Sequence, residues 1–211
     1  ITYGDWSSDV CSSDLIFNSR QNIPILNNIT FIVAGAYNPR ELITDKSISS
    51  FNVSHRIPIQ DFDLFQVKKL VDFLDRAINP EKIAERIFYW TSGQPYICQR
   101  VCTYLSDVET ATPELVDEAI DKFFREDTNH LPRLLSDLYL EPELLKYTKK
   151  SIGTPPKLNP GINDWHFKLT HEIGIASIDE KGKFQIRNRV YLRALENLFS
   201  EPNPKIIEDD D

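Results

Sequence analysis

The sequence has no methionine, not even at its first position, so the chain as written is not expected to begin at a natural initiation site. Its 7 glycines are isolated. None belongs to a Gly-x-x-x-x-Gly-Lys-Ser/Thr phosphate loop, and the one Gly-Lys step is Gly182-Lys183-Phe184. Three cysteines make no disulfide framework. Cys98 and Cys102 lie four apart on a helical pattern and share one face. No second Cys or His pair sits at zinc-ligand spacing, and His55, His130, His166 and His171 are scattered, so buried core thiols are expected and no metal site is. No apolar run approaches the roughly 18 residues that span a bilayer. The start, Ile1-Thr2-Tyr3-Gly4-Asp5, has neither the basic nor the apolar region of a signal peptide, so a cytoplasmic protein without a membrane partner is expected. Basic residues are also short: 24 Lys and Arg stand against 32 Asp and Glu, for a net charge of −8 and a pI near 5.1. Such a chain has no general electrostatic attraction to nucleic acid, which is not an expected partner. Part of the excess lies in Glu208-Asp209-Asp210-Asp211, within a solvated acidic tail over 201–211.

What is present is ordinary for a soluble globular protein, with 41% apolar and 27% charged residues in a length that suits one to two small domains. Residues 5–15 read DWSSDVCSSDL, polar and without apolar periodicity. This stretch resembles the translation of a common short-read sequencing adapter. Residues 1–15 are accordingly expected to be non-native, with native sequence missing upstream of Ile16.

Phe31-Ile32-Val33-Ala34-Gly35-Ala36 suits a buried strand of a parallel sheet, and Arg56-Ile57-Pro58-Ile59 a second short strand at an edge. Asp63 and Gln66 then form a capping-box signature, with Phe62 and Val67 as the staple. Leu64, Val67, Leu70, Val71 and Leu74 follow at helical spacing. Asn79-Pro80-Glu81 opens a second helix with Ile83, Ile87 and Trp90 on one stripe. Ser92-Gly93-Gln94-Pro95 breaks it and launches a third through Leu105. Thr112-Pro113-Glu114 launches a fourth, with Leu115, Val116, Ala119, Ile120, Phe123 and Phe124 facing inward. Four short helices in series predict a small bundle. Beyond Leu131-Pro132, helical patterns near 133–150 and 163–173 flank a Gly/Pro-rich loop at 153–161. Ile175-Ala176-Ser177-Ile178 and Lys183-Phe184-Gln185-Ile186 around Asp179-Glu180-Lys181-Gly182 predict a β-hairpin. A final helix carries Val190, Leu192, Leu195 and Leu198. Helices followed by a hairpin wing describe a winged helix.

Three blocks, FIVAGAYNPRELI (31–43) with SSFNVSHRIPIQDF (49–62), YWTSGQPYICQRVC (89–102) and IRNRVYLRAL (186–195), together resemble the AAA-like ATPases of the STAND signalling class, best known from bacteria. The resemblance runs through nearly all of 16–199. It implies an α/β remnant of a P-loop NTPase core at 16–62, a helical lid at 63–130 and a winged-helix domain at 131–200. The phosphate loop and magnesium-binding strand would lie before Ile16.

The resemblance also nominates residues. Asn38, after the first strand, takes the place of the polar sensor that feels a γ-phosphate, with Arg40 as the nearby alternative; Asn38-Pro39 also reads simply as a turn. Gly93 and Pro95 match the Gly-x-Pro motif that opens a lid helix, where the proline packs near the nucleotide base; the same residues also read as a plain helix break. Trp90 and Tyr96 flank that turn and either stack on a base or pack in the lid. Arg56 reads as a surface arginine or as a finger reaching a neighbouring subunit's phosphate. Lys181, Lys183, Arg187, Arg189 and Arg193 cluster over the wing and final helix, but the helix at 163–173 carries little basic charge, so internal packing is expected over DNA contact.

The reading is therefore a fragment of a nucleotide-dependent signalling ATPase. In the intact parent ATP and magnesium would be bound and hydrolysed; for the fragment alone no cofactor and no activity are expected. Its partners would be the missing N-terminal NTPase half and a homo-oligomer or effector protein. The alternatives are a winged-helix regulatory module binding DNA or a partner protein, and an interaction scaffold with a decayed nucleotide site.

Overall fold

The computed structural model describes residues 16, 18–30, 57, 59–152, 164–178 and 184–200. The expected strand at 31–36, Asn38, Arg40, Arg56, the loop at 153–161, the hairpin tip, Lys181, Lys183 and both termini lie outside them. The chain divides into two units, residues 1–59 and 60–211.

Among the described residues of the first unit, a 3-10 turn, Pro24–Asn28, is closed by Asn27 Nδ2 donating to the Pro24 carbonyl at 3.2 Å, and Arg20 Nη2 donates to the Ile29 carbonyl at 2.6 Å. Of the strand expected at 56–59, the described Ile57 and Ile59 belong to no strand and are 78% and 89% exposed. A short apolar run forms a strand only where a neighbour supplies ladder hydrogen bonds.

The second unit is mainly helical. Its elements are α1 (Leu64–Val71), α2 (Pro80–Thr91), α3 (Pro95–Ser106), α4 (Pro113–Glu126), α5 (His130–Tyr139), α6 (Pro142–Ser151), α7 (Trp165–Ile173), β1 (Ala176–Ile178), β2 (Phe184–Ile186) and α8 (Arg189–Ser200). The first four form the bundle read from the sequence. Asp63 caps α1 by accepting from the Gln66 amide at 2.7 Å while Gln66 Oε1 accepts from the Asp63 amide at 2.9 Å, so two orphan amides are satisfied at once. Helix α1 ends at Val71, and Leu74, which falls beyond it, still packs on the core. Helices α2, α3 and α4 each begin with proline, whose missing N–H costs nothing in a first turn.

The pattern at 133–150 is two helices rather than one. Proline cannot donate to the preceding turn, and Pro142 starts α6 after a break at Leu140-Glu141. Helix α5 begins at His130, with Pro132 tolerated in its first turn. Asp164 caps α7, accepting from the His166 and Phe167 amides at 2.8 and 3.2 Å, and Gly174 closes it at φ 87°. The expected hairpin is present: β1 and β2 pair antiparallel, Ala176 with Ile186, Ser177 with Gln185 and Ile178 with Phe184.

The last helix departs from its sequence reading. Its buried face is Val190, Tyr191, Ala194 and Leu195, whereas Leu192 is only half-buried. A tyrosine is carried into the core because its hydroxyl finds a partner there. One apolar cluster runs from Val67 in α1 through Ile83, Ile120 and Leu138 to Ile175 and to Leu195 in α8, joining bundle, hairpin base and last helix, while Tyr147, Phe167 and Ala176 form a second, smaller cluster with Phe184 packed against it. Cys98 and Cys102 face into it as expected; burial pushes their thiols up to about 11 and about 12.

Candidate functional site

Of the sensor, finger and lid residues nominated from the sequence, Gly93 and Pro95 lie within the described residues, in the Gly93-Gln94-Pro95 turn. Helix α2 ends on two consecutive left-handed residues, Ser92 at φ 47° and Gly93 at φ 82°. The Gly93 amide is held by Thr91 Oγ1 at 3.1 Å, and Thr91 in turn donates to the Ile87 carbonyl at 2.8 Å. Gln94 then caps α3, its Oε1 accepting from the Ile97 amide at 2.7 Å.

The segment that leads into α1 lies directly on this turn. The Phe62 amide donates to the Gly93 carbonyl at 2.8 Å. A Cβ on Gly93 would fall 1.8 Å from the Phe62 carbonyl oxygen. Glycine is required here twice over, by its positive φ and by close approach of another backbone.

Around the turn the structure brings Tyr96 and Arg187 together with Asp61, Asp127, His130 and Tyr191, which no local signal announced as site residues. Tyr96, on the first turn of α3, packs its ring 4.8 Å from that of His130, and His130 Nε2 shares a 2.7 Å hydrogen bond with the hydroxyl of the buried Tyr191. Asp127 caps α5 through the His130 and Leu131 amides at 3.2 and 2.6 Å and accepts a 3.4 Å bond from the Tyr96 hydroxyl. Arg187 forks onto Asp61, Nε to Oδ2 at 2.9 Å and Nη2 to Oδ1 at 2.6 Å. Burial pushes the Tyr191 hydroxyl up to about 12, so it stays protonated, and burial followed by the Asp127 charge raises that of Tyr96.

Burial lowers the pKa of the His130 imidazole, opposed by Asp127 and reinforced by the Arg187 charge. A base lowered in the folded state is protonated first in the unfolded chain. Its contribution to stability is therefore complete above pH 6.5, the ordinary value, and is lost as pH falls from there through the lowered one. The urea midpoint is expected to drop between about pH 7.5 and about pH 5.5, and His130→Gln is expected to flatten that slope. An unchanged slope would remove His130 from the account.

Where it is described, the basic cluster is paired with groups of the protein itself. Arg187 meets Asp61. Arg189 donates to the Tyr89 carbonyl at 3.0 Å with its guanidinium 3.9 Å over the Tyr89 ring, and Arg193 meets Asp121 at 2.7 Å. Asn188 accepts from the Tyr191 amide at 2.8 Å, fastening the end of the hairpin to α8. Trp90 donates through Nε1 to Asp117 at 2.6 Å, and Arg86 forks onto the same carboxylate at 2.9 Å for both bonds. Among the described residues no group of three or more His, Cys, Asp or Glu is placed to hold a metal, and no helix is long and apolar enough to cross a membrane.

Comparison with known proteins bears on the whole chain. An uncharacterized WD repeat-containing protein of Synechocystis sp. is 30% identical over 107 residues, covering 50% of this chain and 8% of that protein. The chain thus spans less than a tenth of that relative's length. No solved structure matches. The family of AAA-like domains matches residues 15–195, and the chain belongs to that family, whose fold is of the ATPase type.

Proposed function

We propose that the chain is the lid and winged-helix part of a STAND-type nucleotide switch, with α1 to α4 as the lid and α5 to α8 with the hairpin as the winged helix. The observation that carries this reading is the Gly93-Gln94-Pro95 turn, which lies under the Phe62 backbone with no room for a side chain. Such a turn ties the lid's opening to the segment entering it from residues 16–62, where a P-loop core would end. Pro95 and Tyr96 would line the base side of a nucleotide, and Asn38 or Arg40 would read its γ-phosphate. Arg56 would serve in trans, at a neighbouring subunit's phosphate. Amide cradle, phosphate-binding lysine and magnesium ligands would come from a preceding NTPase half. Nucleotide held between that half and the lid would select one of two arrangements of the winged helix. The intramolecular pairing of Arg187, Arg189 and Arg193 supports a role within the protein rather than on DNA.

The test begins with the DNA upstream of the Ile16 codon. An open frame encoding Gly-x-x-x-x-Gly-Lys-Ser/Thr is expected there in place of residues 1–15. Protein made from that frame is expected to bind ATP with magnesium, more weakly with Pro95→Ala, whereas the 211-residue chain is expected to show no tight binding by calorimetry. Tight magnesium-dependent ATP binding by the 211-residue chain, or an upstream frame without the motif, would overturn the reading.

A further inference from the structure

We propose that the Asp61–Arg187 ion pair is a latch that couples the segment entering the bundle to the β-hairpin, so that displacement of one is transmitted to the other. The two residues stand 126 apart in the sequence and meet through both carboxylate oxygens. On one side, Asp61 adjoins Phe62, whose amide is bonded to the Gly93 carbonyl at 2.8 Å. On the other, Arg187 closes the base of the hairpin. Its amide donates to the Ile175 carbonyl at 2.8 Å, and its Nη1 lies 3.4 Å from the Gly174 carbonyl at the end of α7. A continuous path therefore runs from the Gly93 turn through Phe62 and Asp61 to Arg187, and on to the hairpin.

The chemistry of this joint suits a releasable contact. Both side chains keep some access to water, 28% for Arg187 and 27% for Asp61, unlike the fully buried apolar residues nearby. Burial disfavours the Arg187 cation, and the bonds and charge of Asp61 outweigh that, raising its pKa overall. Two parallel bonds fix orientation as well as distance, so the hairpin base follows the carboxylate when it moves. Apolar packing between the same elements would yield gradually; a forked pair is either made or broken. Among the described residues, Arg189 and Arg193 also reach the bundle, but from α8 rather than from the hairpin base.

The coupling needs no nucleotide and stands apart from the switch reading. It is tested on the full chain by amide hydrogen exchange of Asp61→Asn, Arg187→Gln, Arg187→Lys and the double variant Asp61→Asn with Arg187→Gln. Each glutamine or asparagine variant is expected to speed exchange by about tenfold at the Phe62 amide and also at the hairpin amides of 176–178 and 184–186, with Ile120 in α4 held within about twofold. The double variant is expected to be no worse than either single one, and Arg187→Lys, which keeps the charge without the fork, to fall between. Hairpin exchange unmoved by Asp61→Asn would overturn the proposal. So would acceleration at Ile120 in step with the rest, which would make the pair an ordinary contact of the fold.

Discussion

Gly93→Ala is expected to lower the melting temperature of the chain by about 10 °C, corresponding to about 3–5 kcal/mol in a protein of this size. The new Cβ would stand 1.8 Å from the Phe62 carbonyl oxygen and 2.8 Å from its carbonyl carbon. Both are backbone atoms and cannot rotate away as a side chain would, so an overpacking cost of about 1–3 kcal/mol applies in full. A left-handed φ of 82° adds about 1–2 kcal/mol for any residue with a Cβ. The Phe62 to Gly93 hydrogen bond would be lost with the displacement. Gly174→Ala is the natural control. Its φ of 87° imposes the same backbone cost, but the nearest atom is Arg187 Nη1 at 3.1 Å, the end of a flexible side chain. Thermal unfolding of both variants separates the terms, and equal losses would mean that the segment at 61–63 does not press on the Gly93 turn.

Tyr191 should produce the other large effect, in two unequal steps. Truncation to alanine empties a site that is 1% exposed and joins α8 to the shared core, for an expected loss of about 3–5 kcal/mol. Phenylalanine keeps the ring and removes only the hydroxyl. That leaves His130 Nε2 without its 2.7 Å partner inside the protein, at an expected cost of about 1–2 kcal/mol. Denaturant midpoints for Tyr191→Ala and Tyr191→Phe check the split. If phenylalanine cost as much as alanine, the hydrogen bond rather than the packing would hold α8 in place.

The parts of this fold that were legible are those written locally. Asp63 and Gln66 lie three apart, and that spacing alone specifies a reciprocal cap. Pro80, Pro95 and Pro113 mark helix starts because proline suits the first turn and little else within a helix. The hairpin follows from alternation around a polar turn. Where local signals competed, the reading slipped. Leu192 has the composition of a core residue, yet the α8 face is set by Tyr191, a polar residue whose burial depends on the hydrogen bond its hydroxyl shares with His130 Nε2. Pro142 lay inside a pattern that otherwise passed for one helix. At the candidate site, Gly93 and Pro95 announced themselves through a motif. Asp61 and His130 did not, and Arg187 stood out only as one of a basic cluster, because each owes its role to a partner from another element. Only tertiary packing brings residues 61 and 187 together, and no sequence window contains both.

The environment of Trp90 has a practical consequence. Its indole donates to Asp117 and lies beside Arg86, at the junction of α2 and α4, while Trp165 at the head of α7 is 66% exposed. The first chromophore sits in a polarised, half-enclosed setting and the second already in water. Loss of the bundle would therefore change the emission of Trp90 much more than that of Trp165. Replacing Trp6 and Trp165 by phenylalanine would leave Trp90 as the chain's single tryptophan and turn intrinsic fluorescence into an optical gauge of whether the bundle is intact.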